Sequence, residues 1–390
     1  MLNRVTPPMV DGGLGNSTGQ NIIGADTLGI ATLSLGHCTQ HKLQDRIRAA
    51  AQAGFDVIDL FDEDWAAYLA ENGLDSADPW EATEAKLQVA RQLRQLIVSH
   101  GMSIACTQPL RDIEGNLDPV EREVAIQRVT ARFPFMRAFD TDLVFMCSSM
   151  RPDDGKTATS NFQTVVRDLA ELGDLAAKFS AKDGGRMLRI GYEPLSWARR
   201  NTWASAWEVV RAVDRDNVGI ILDSFNILAV EFADPYSESN MLYSSRDQAL
   251  RILAESMASM ATTVRPEKLF FVQVADAEGM AGRGFQPPQD KNVPRLLPWS
   301  RSHRLFPEEQ DRGGYMPVDM VLSAILKMGY TGPLSLEVFS HSLHIPGSHI
   351  PLTLGMRGIN GLRALIDRVA PRSVAVKDAG IRAITGNRAA

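Results

Sequence analysis

Eight short apolar runs punctuate the chain, and each is followed by a stretch that can form a helix before the next run begins. The runs are Leu28 to Leu33, Val57 to Leu60, Ser103 to Cys106, Leu143 to Cys147, Leu188 to Tyr192, Val218 to Leu222, Leu269 to Val272 and Leu334 to Leu336. Strands that alternate with helices lie parallel, because each crossover returns the chain to the same end of the sheet. Eight such units predict an α/β fold of the TIM (β/α)8 type over residues 27–371. Helices are expected at Leu43 to Ala53, about Trp80 to His100, Val120 to Phe139 with a break at Pro134, Phe162 to Phe179, Trp203 to Val213, Asp247 to Met260, Val318 to Met328 and Gly355 to Val369. Residues 1–26, rich in Gly, Asn, Thr and Pro without hydrophobic period, are expected to be a flexible leader, and residues 372–390 a surface tail. Gly12, Gly13 and Gly15 follow no strand, so they do not read as a phosphate-binding loop.

Four oxygen-bearing side chains, Glu193, Asp223, Gln273 and Glu337, stand at the ends of the last four runs. Parallel strands align their C-terminal ends, so residues tens of positions apart in sequence converge on one face of a barrel. An open doubly wound sheet fits the same alternation but would spread those ends along a line at about 4.8 Å per strand. Hard oxygen ligands at one mouth suit a single divalent ion, Mg²⁺, Mn²⁺ or Co²⁺. A carboxylate that interrupts an apolar run is costly to bury without a cationic partner, whether metal or arginine.

Further candidates flank these strand ends. Arg301 and Arg304 lie in Trp299-Ser-Arg-Ser-His-Arg304 after the seventh run, and Arg111 follows the third; a guanidinium fork suits a carboxylate substrate. His37 after the first run and Glu63 after the second are candidate proton acceptors. His341, His344 and His349 cluster after the last run, where Pro346 and Gly347 favour a loop over a helical ligand pair.

Bulk properties remove other classes. Charged residues make up 23% of the chain and the net charge is −6, which gives no electrostatic reason to bind nucleic acid. Cys38, Cys106 and Cys147 are odd in number and scattered, so no disulfide framework or thiolate site is indicated. Without a membrane-length apolar stretch or a secretory signal pattern, the expected setting is the cytoplasm, with a small-molecule substrate, no nucleic acid, no membrane, and homo-oligomerisation left open.

Several segments carry a resemblance. Gly191-Tyr-Glu-Pro-Leu-Ser-Trp197, Asn201-Thr-Trp203, Gly219-Ile-Ile-Leu-Asp-Ser-Phe-Asn226, Phe270-Phe-Val-Gln-Val-Ala-Asp276, Trp299-Ser-Arg301, Leu334-Ser-Leu-Glu337 and Gln108-Pro with Arg111-Asp112 resemble the 3-dehydroshikimate dehydratases, members of the xylose-isomerase-like TIM-barrel superfamily. That resemblance implies dehydration of 3-dehydroshikimate to protocatechuate, with one divalent ion on Glu193, Asp223, Gln273 and Glu337 and with Asn226, Ser300 and Arg304 facing the substrate. Asn226 occupies a position that is histidine in some relatives, which leaves the proton acceptor open between His37 and Glu63. A keto-sugar or sugar-phosphate isomerase or epimerase is the alternative, since it uses the same enediolate chemistry. An abasic-site endonuclease would need several metal-binding histidines at strand ends, and a non-catalytic sensor would not need an intact ligand set.

Overall fold

In the computed structural model, which describes residues 27–74 and 77–370, the eight apolar runs are the eight parallel strands of a closed barrel. In chain order the strands are β1 (Leu28–Ala31), β2 (Val57–Phe61), β3 (Ser103–Leu110), β4 (Leu143–Cys147), β5 (Arg189–Glu193), β6 (Val218–Asp223), β7 (Leu269–Val274), β8 (Asp276–Ala277), β9 (Arg304–Leu305) and β10 (Leu334–Leu336). The ring runs β1, β2, β3, β4, β5, β6, β7, β10 and back to β1, while β8 and β9 form a separate two-stranded antiparallel ribbon. Near-continuous apolar composition is what a strand buried on both faces requires. Helices cover the outside of the ring and bury Ile47, Leu93, Leu169, Val210, Leu253, Leu322 and Leu362 against it.

Local chemistry fixes where the helices start. Thr83, Asp118, Asn161, Thr202 and Ser245 each accept a backbone N–H in the first turn of the following helix, and Thr202 with Ser205 makes a reciprocal capping box. Gly54 ends the first helix in the left-handed conformation, φ 91°.

Four expectations need adjustment. The first strand stops at Ala31, and Thr32–Leu35 turns into a 3-10 helix. The predicted Val120 to Phe139 helix is two helices, Pro119–Thr130 and Phe133–Phe139, with Pro134 in the first turn of the second, where its missing N–H costs nothing. The helix expected from Trp80 begins at Glu84, and a further helix, Asp62–Glu71, follows β2 directly. The last helix starts at Ile350, earlier than Gly355. The expected leader, and the expected tail, lie outside the described residues. Among the described residues, no helix is long and apolar enough to cross a membrane.

Candidate metal centre and substrate pocket

Adjacent strands deliver the four strand-end oxygens to one place. Glu193 is the last residue of β5 and Asp223 the last of β6; Gln273 lies beside Asp223 in register on β7, and Glu337 follows β10, its N–H donating to the Val274 carbonyl at 3.3 Å. All four are buried, with exposures of 2%, 1%, 0% and 6% in that order.

Two donors tie the three carboxylates together. The Asn226 Nδ2 group donates to Glu193 Oε1 and to Asp223 Oδ2, both at 2.9 Å, while its Oδ1 accepts from the Ser196 N–H at 3.1 Å. Arg304 Nη1 donates to Asp223 Oδ2 at 2.8 Å and to Glu337 Oε2 at 3.1 Å, and its Nη2 donates to Ser300 Oγ at 3.2 Å. Cys147 Sγ donates to Glu193 Oε2 at 3.2 Å. Burial raises the pKa of Glu193, and the neighbouring Glu337 and Asp223 charges push it further; burial likewise raises Asp223 and Glu337 although Arg304 opposes it. Arg304 thus pairs directly with two of the three buried carboxyl groups, Asp223 and Glu337, and Glu193 has only the neutral donors Asn226 and Cys147, a charge balance that a bound cation would complete.

The amide completes the set. Gln273 Oε1 is buried without a hydrogen-bond partner, which is unusual for so polar an atom. Its Nε2 donates to Gln108 Oε1 at 3.2 Å; Gln108 Nε2 donates to Asp59 Oδ2 at 3.3 Å; and Asp59 Oδ1 accepts from Ser335 Oγ at 2.7 Å. Burial pushes the Asp59 carboxyl up to about 8. The Gln273 nitrogen also stabilises the neighbouring Asp59 and Glu337 carboxyls, and its oxygen is left unpartnered, as a ligand to a hard cation would be. Three carboxylates and a free amide oxygen fit a divalent ion of the Mg²⁺ or Mn²⁺ class.

Beside this cluster lies a cavity of ≈ 220 Å³ lined by His37, Glu63, Arg301, Phe339 and His344 among others. Arg301 stacks 4.2 Å from the Phe339 ring centre and 5.9 Å from Trp197, and Arg304 lies 5.2 Å from the same Phe339 ring. Burial and the Arg111 charge pull Arg301 down to about 10, which still leaves it cationic at neutral pH. Arg111 sits at the edge of the cavity, 3.5 Å from the Glu63 carboxylate. His37 stacks on His344 at 4.2 Å, and burial together with His344 lowers its pKa, so its imidazole is neutral at pH 7. A larger cleft of ≈ 560 Å³ between the helices Arg246–Thr263 and Val318–Lys327 is lined by none of the strand-end residues.

Sequence reasoning thus reaches a set of residues that the fold gathers in two neighbouring groups: Glu193, Asp223, Gln273, Glu337, Asn226, Ser300 and Arg304 in one, and His37, Glu63, Arg301 and Arg111 around the other. Arg304 and Asn226, expected to face the substrate, spend their hydrogen bonds on the carboxylates in this structure. Asp59 carries no role in the sequence reading, and Gln108, Ser335 and Cys147 enter it only as motif members or as a scattered cysteine; an aspartate inside the apolar strand Val57–Phe61 was the available signal.

The comparisons agree with this fold. Residues 47–364 match the family described as xylose isomerase-like TIM barrel. The chain is 32% identical over 342 residues to a 3-dehydroshikimate dehydratase of Neurospora crassa, covering 85% of this chain and 91% of that protein. It is 32% identical over 332 residues to the 3-dehydroshikimate dehydratase of Pseudomonas putida, but spans only 40% of that protein's length. Among solved structures it is similar to a xylose isomerase-like TIM barrel/4-hydroxyphenylpyruvate dioxygenase fusion protein, with a TM-score of 0.63, 29% identity, and coverage of 88% of this chain and 43% of the other.

Proposed function

This chain belongs to the xylose isomerase-like TIM barrel family, alongside the 3-dehydroshikimate dehydratases, and from that premise we propose that it converts 3-dehydroshikimate to protocatechuate with one divalent cation held by Glu193, Asp223, Gln273 and Glu337. The observation that carries this reading is the unpartnered Gln273 Oε1 among three buried carboxyl groups, next to a cavity lined by a guanidinium.

A bound divalent cation supplies positive charge for the oxyanion that develops on the C3 ketone as the adjacent proton leaves. Asn226 and Arg304 hold the carboxylates in place and limit their mutual repulsion. Arg301, with Arg111 behind it, is the anchor for the substrate carboxylate, and a fixed carboxylate determines which ring proton reaches the base. His37 is the first acceptor for the C4 proton: it lines the cavity, its pKa is lowered by burial, and its Nδ1, which accepts from the Thr39 N–H at 3.3 Å and lies 2.9 Å from Thr39 Oγ1, turns from Thr39 to take the proton. Glu63 is the alternative acceptor in the same cavity. Loss of the C5 hydroxyl as water and tautomerisation then give an aromatic ring, which makes the overall step one-way.

A keto-sugar isomerase or epimerase would use the same cation site but has no need of Arg301 and Arg111 for a carboxylate. Ultraviolet absorbance separates the two. Protocatechuate is expected to accumulate from 3-dehydroshikimate, to stop with a chelator and to resume when Mn²⁺ is restored. Unchanged 3-dehydroshikimate with Mn²⁺ present would rule out the dehydratase.

A further inference from the structure

A second group of side chains with metal-ligating atoms, none of them among the four strand-end residues, comes together around the β8–β9 ribbon. Glu278, His303 and His341 each offer one ligand atom, and the three atoms lie within 4.8 Å of one another. They come from three segments: Glu278 follows β8, His303 ends the short helix Leu297–Ser302, and His341 opens the 3-10 turn His341–His344. The backbone holds those segments together, since the Glu278 N–H donates to the His303 carbonyl at 2.9 Å and His303 bridges to Ser340.

Hydrogen bonds among the side chains and to the backbone hold them close. His303 Nδ1 lies 3.2 Å from Glu278 Oε2. The His341 Nδ1 lies 3.2 Å from the Ser302 carbonyl; the tautomer that donates this bond leaves Nε2 with its lone pair free, as ligating histidines are normally fixed. Glu278 is buried, and its charge is met by Arg283 Nη1 at 2.9 Å, whose side chain is 48% exposed and able to swing aside. We propose that Glu278, His303 and His341 bind a divalent ion of the zinc class, with water as the fourth ligand. Ligands about 2.1 Å from a tetrahedral ion lie about 3.4 Å apart, so a bound ion would draw the three atoms in from their spread of up to 4.8 Å. Such an ion would fasten the segment that carries Ser300, Arg301 and Arg304 to the turn after the final strand.

Donor chemistry separates the two sites. Imidazole favours Zn²⁺ over Mg²⁺, whereas Glu193, Asp223, Gln273 and Glu337 offer no imidazole. Protein stripped with chelator, then given excess Mg²⁺ and one equivalent of Zn²⁺, is expected to show imidazole scattering from two histidines at the zinc K-edge. Glu193→Ala should keep that signal. In His341→Ala, and in His303→Gln as a second variant, bound zinc per chain after gel filtration should fall by one and the imidazole signal should disappear, with circular dichroism unchanged. An oxygen-only zinc shell in the wild type, or full stoichiometry with intact imidazole scattering in folded His341→Ala, would overturn the site. Neither readout depends on dehydratase activity.

Discussion

A glutamine can offer a cation only one end of its amide, and Gln108 chooses which end Gln273 presents. With Gln108 Oε1 accepting from Nε2, the oxygen is left to the site. Gln108→Leu removes that acceptor and lets the amide flip, so Mn²⁺ affinity measured by titration calorimetry should weaken by about 10–100-fold, the usual cost of losing a partner that orients a ligand. Unchanged affinity would mean that strand geometry alone orients Gln273. Arg301→Ala should raise KM for 3-dehydroshikimate by about 10–100-fold, the worth of a hydrogen bond to a charged group, while leaving Mn²⁺ affinity intact; equal KM in steady-state kinetics would move the carboxylate anchor elsewhere. The pH profile follows from His37: its lowered pKa places the acid limb of kcat/KM below the ordinary imidazole value, and His37→Gln should abolish the limb along with most of the rate. The proposed ligands stand out in the sequence because Glu193, Asp223 and Glu337 interrupt apolar runs. Gln108 and Asp59 do not, because their roles depend on which barrel strand faces which.

At the scale of elements, period and burial revealed each barrel strand, while the pieces built from fewer residues stayed hidden. The β8–β9 ribbon has two residues per strand, too few for any alternation to register, yet it places Arg304 under the carboxylates. The helix Asp62–Glu71 begins on three acids immediately after β2, a run that reads as a loop or cap although acids at a helix N-terminus are favourable there. Strand packing also depends on missing side chains. A Cβ on Gly219 in β6 would stand 2.5 Å from the Lys268 carbonyl oxygen and 2.7 Å from the Phe270 ring. Gly219→Ala must therefore push β6 from β7, and denaturant unfolding should show a loss of about 1–3 kcal/mol. Because Asp223 ends that strand, Mn²⁺ affinity should weaken too; a variant as stable as the wild type would show that the barrel gives way locally at no cost.

For the whole molecule, folding gathers acids that water would keep apart. Burial raises the folded-state pKa of Glu193, Asp223 and Glu337, and lifts Asp59 to about 8, so the native protein holds more protons than the unfolded chain above the ordinary carboxylate range. Unfolding free energy falls with rising pH wherever the native state binds the extra protons. These groups therefore stabilise the metal-free fold least at the alkaline end of the window, once each has been forced to ionise. Surface carboxylates with depressed pKa, such as Asp174 paired with Arg215, act in the opposite sense and only at lower pH. A cation that binds the ionised ligands relieves their repulsion, and its binding strengthens as the competing protons leave. Thermal melts of chelated and Mn²⁺-loaded protein should consequently diverge as pH rises from about 5 to about 8, with the chelated Tm falling and the gap widening. Glu193→Ala should narrow the gap at every pH by removing one ligand and one buried charge together. A gap that stayed constant or shrank toward alkaline pH would mean that the strand-end carboxylates are neutralised by Arg304 and its neighbours alone.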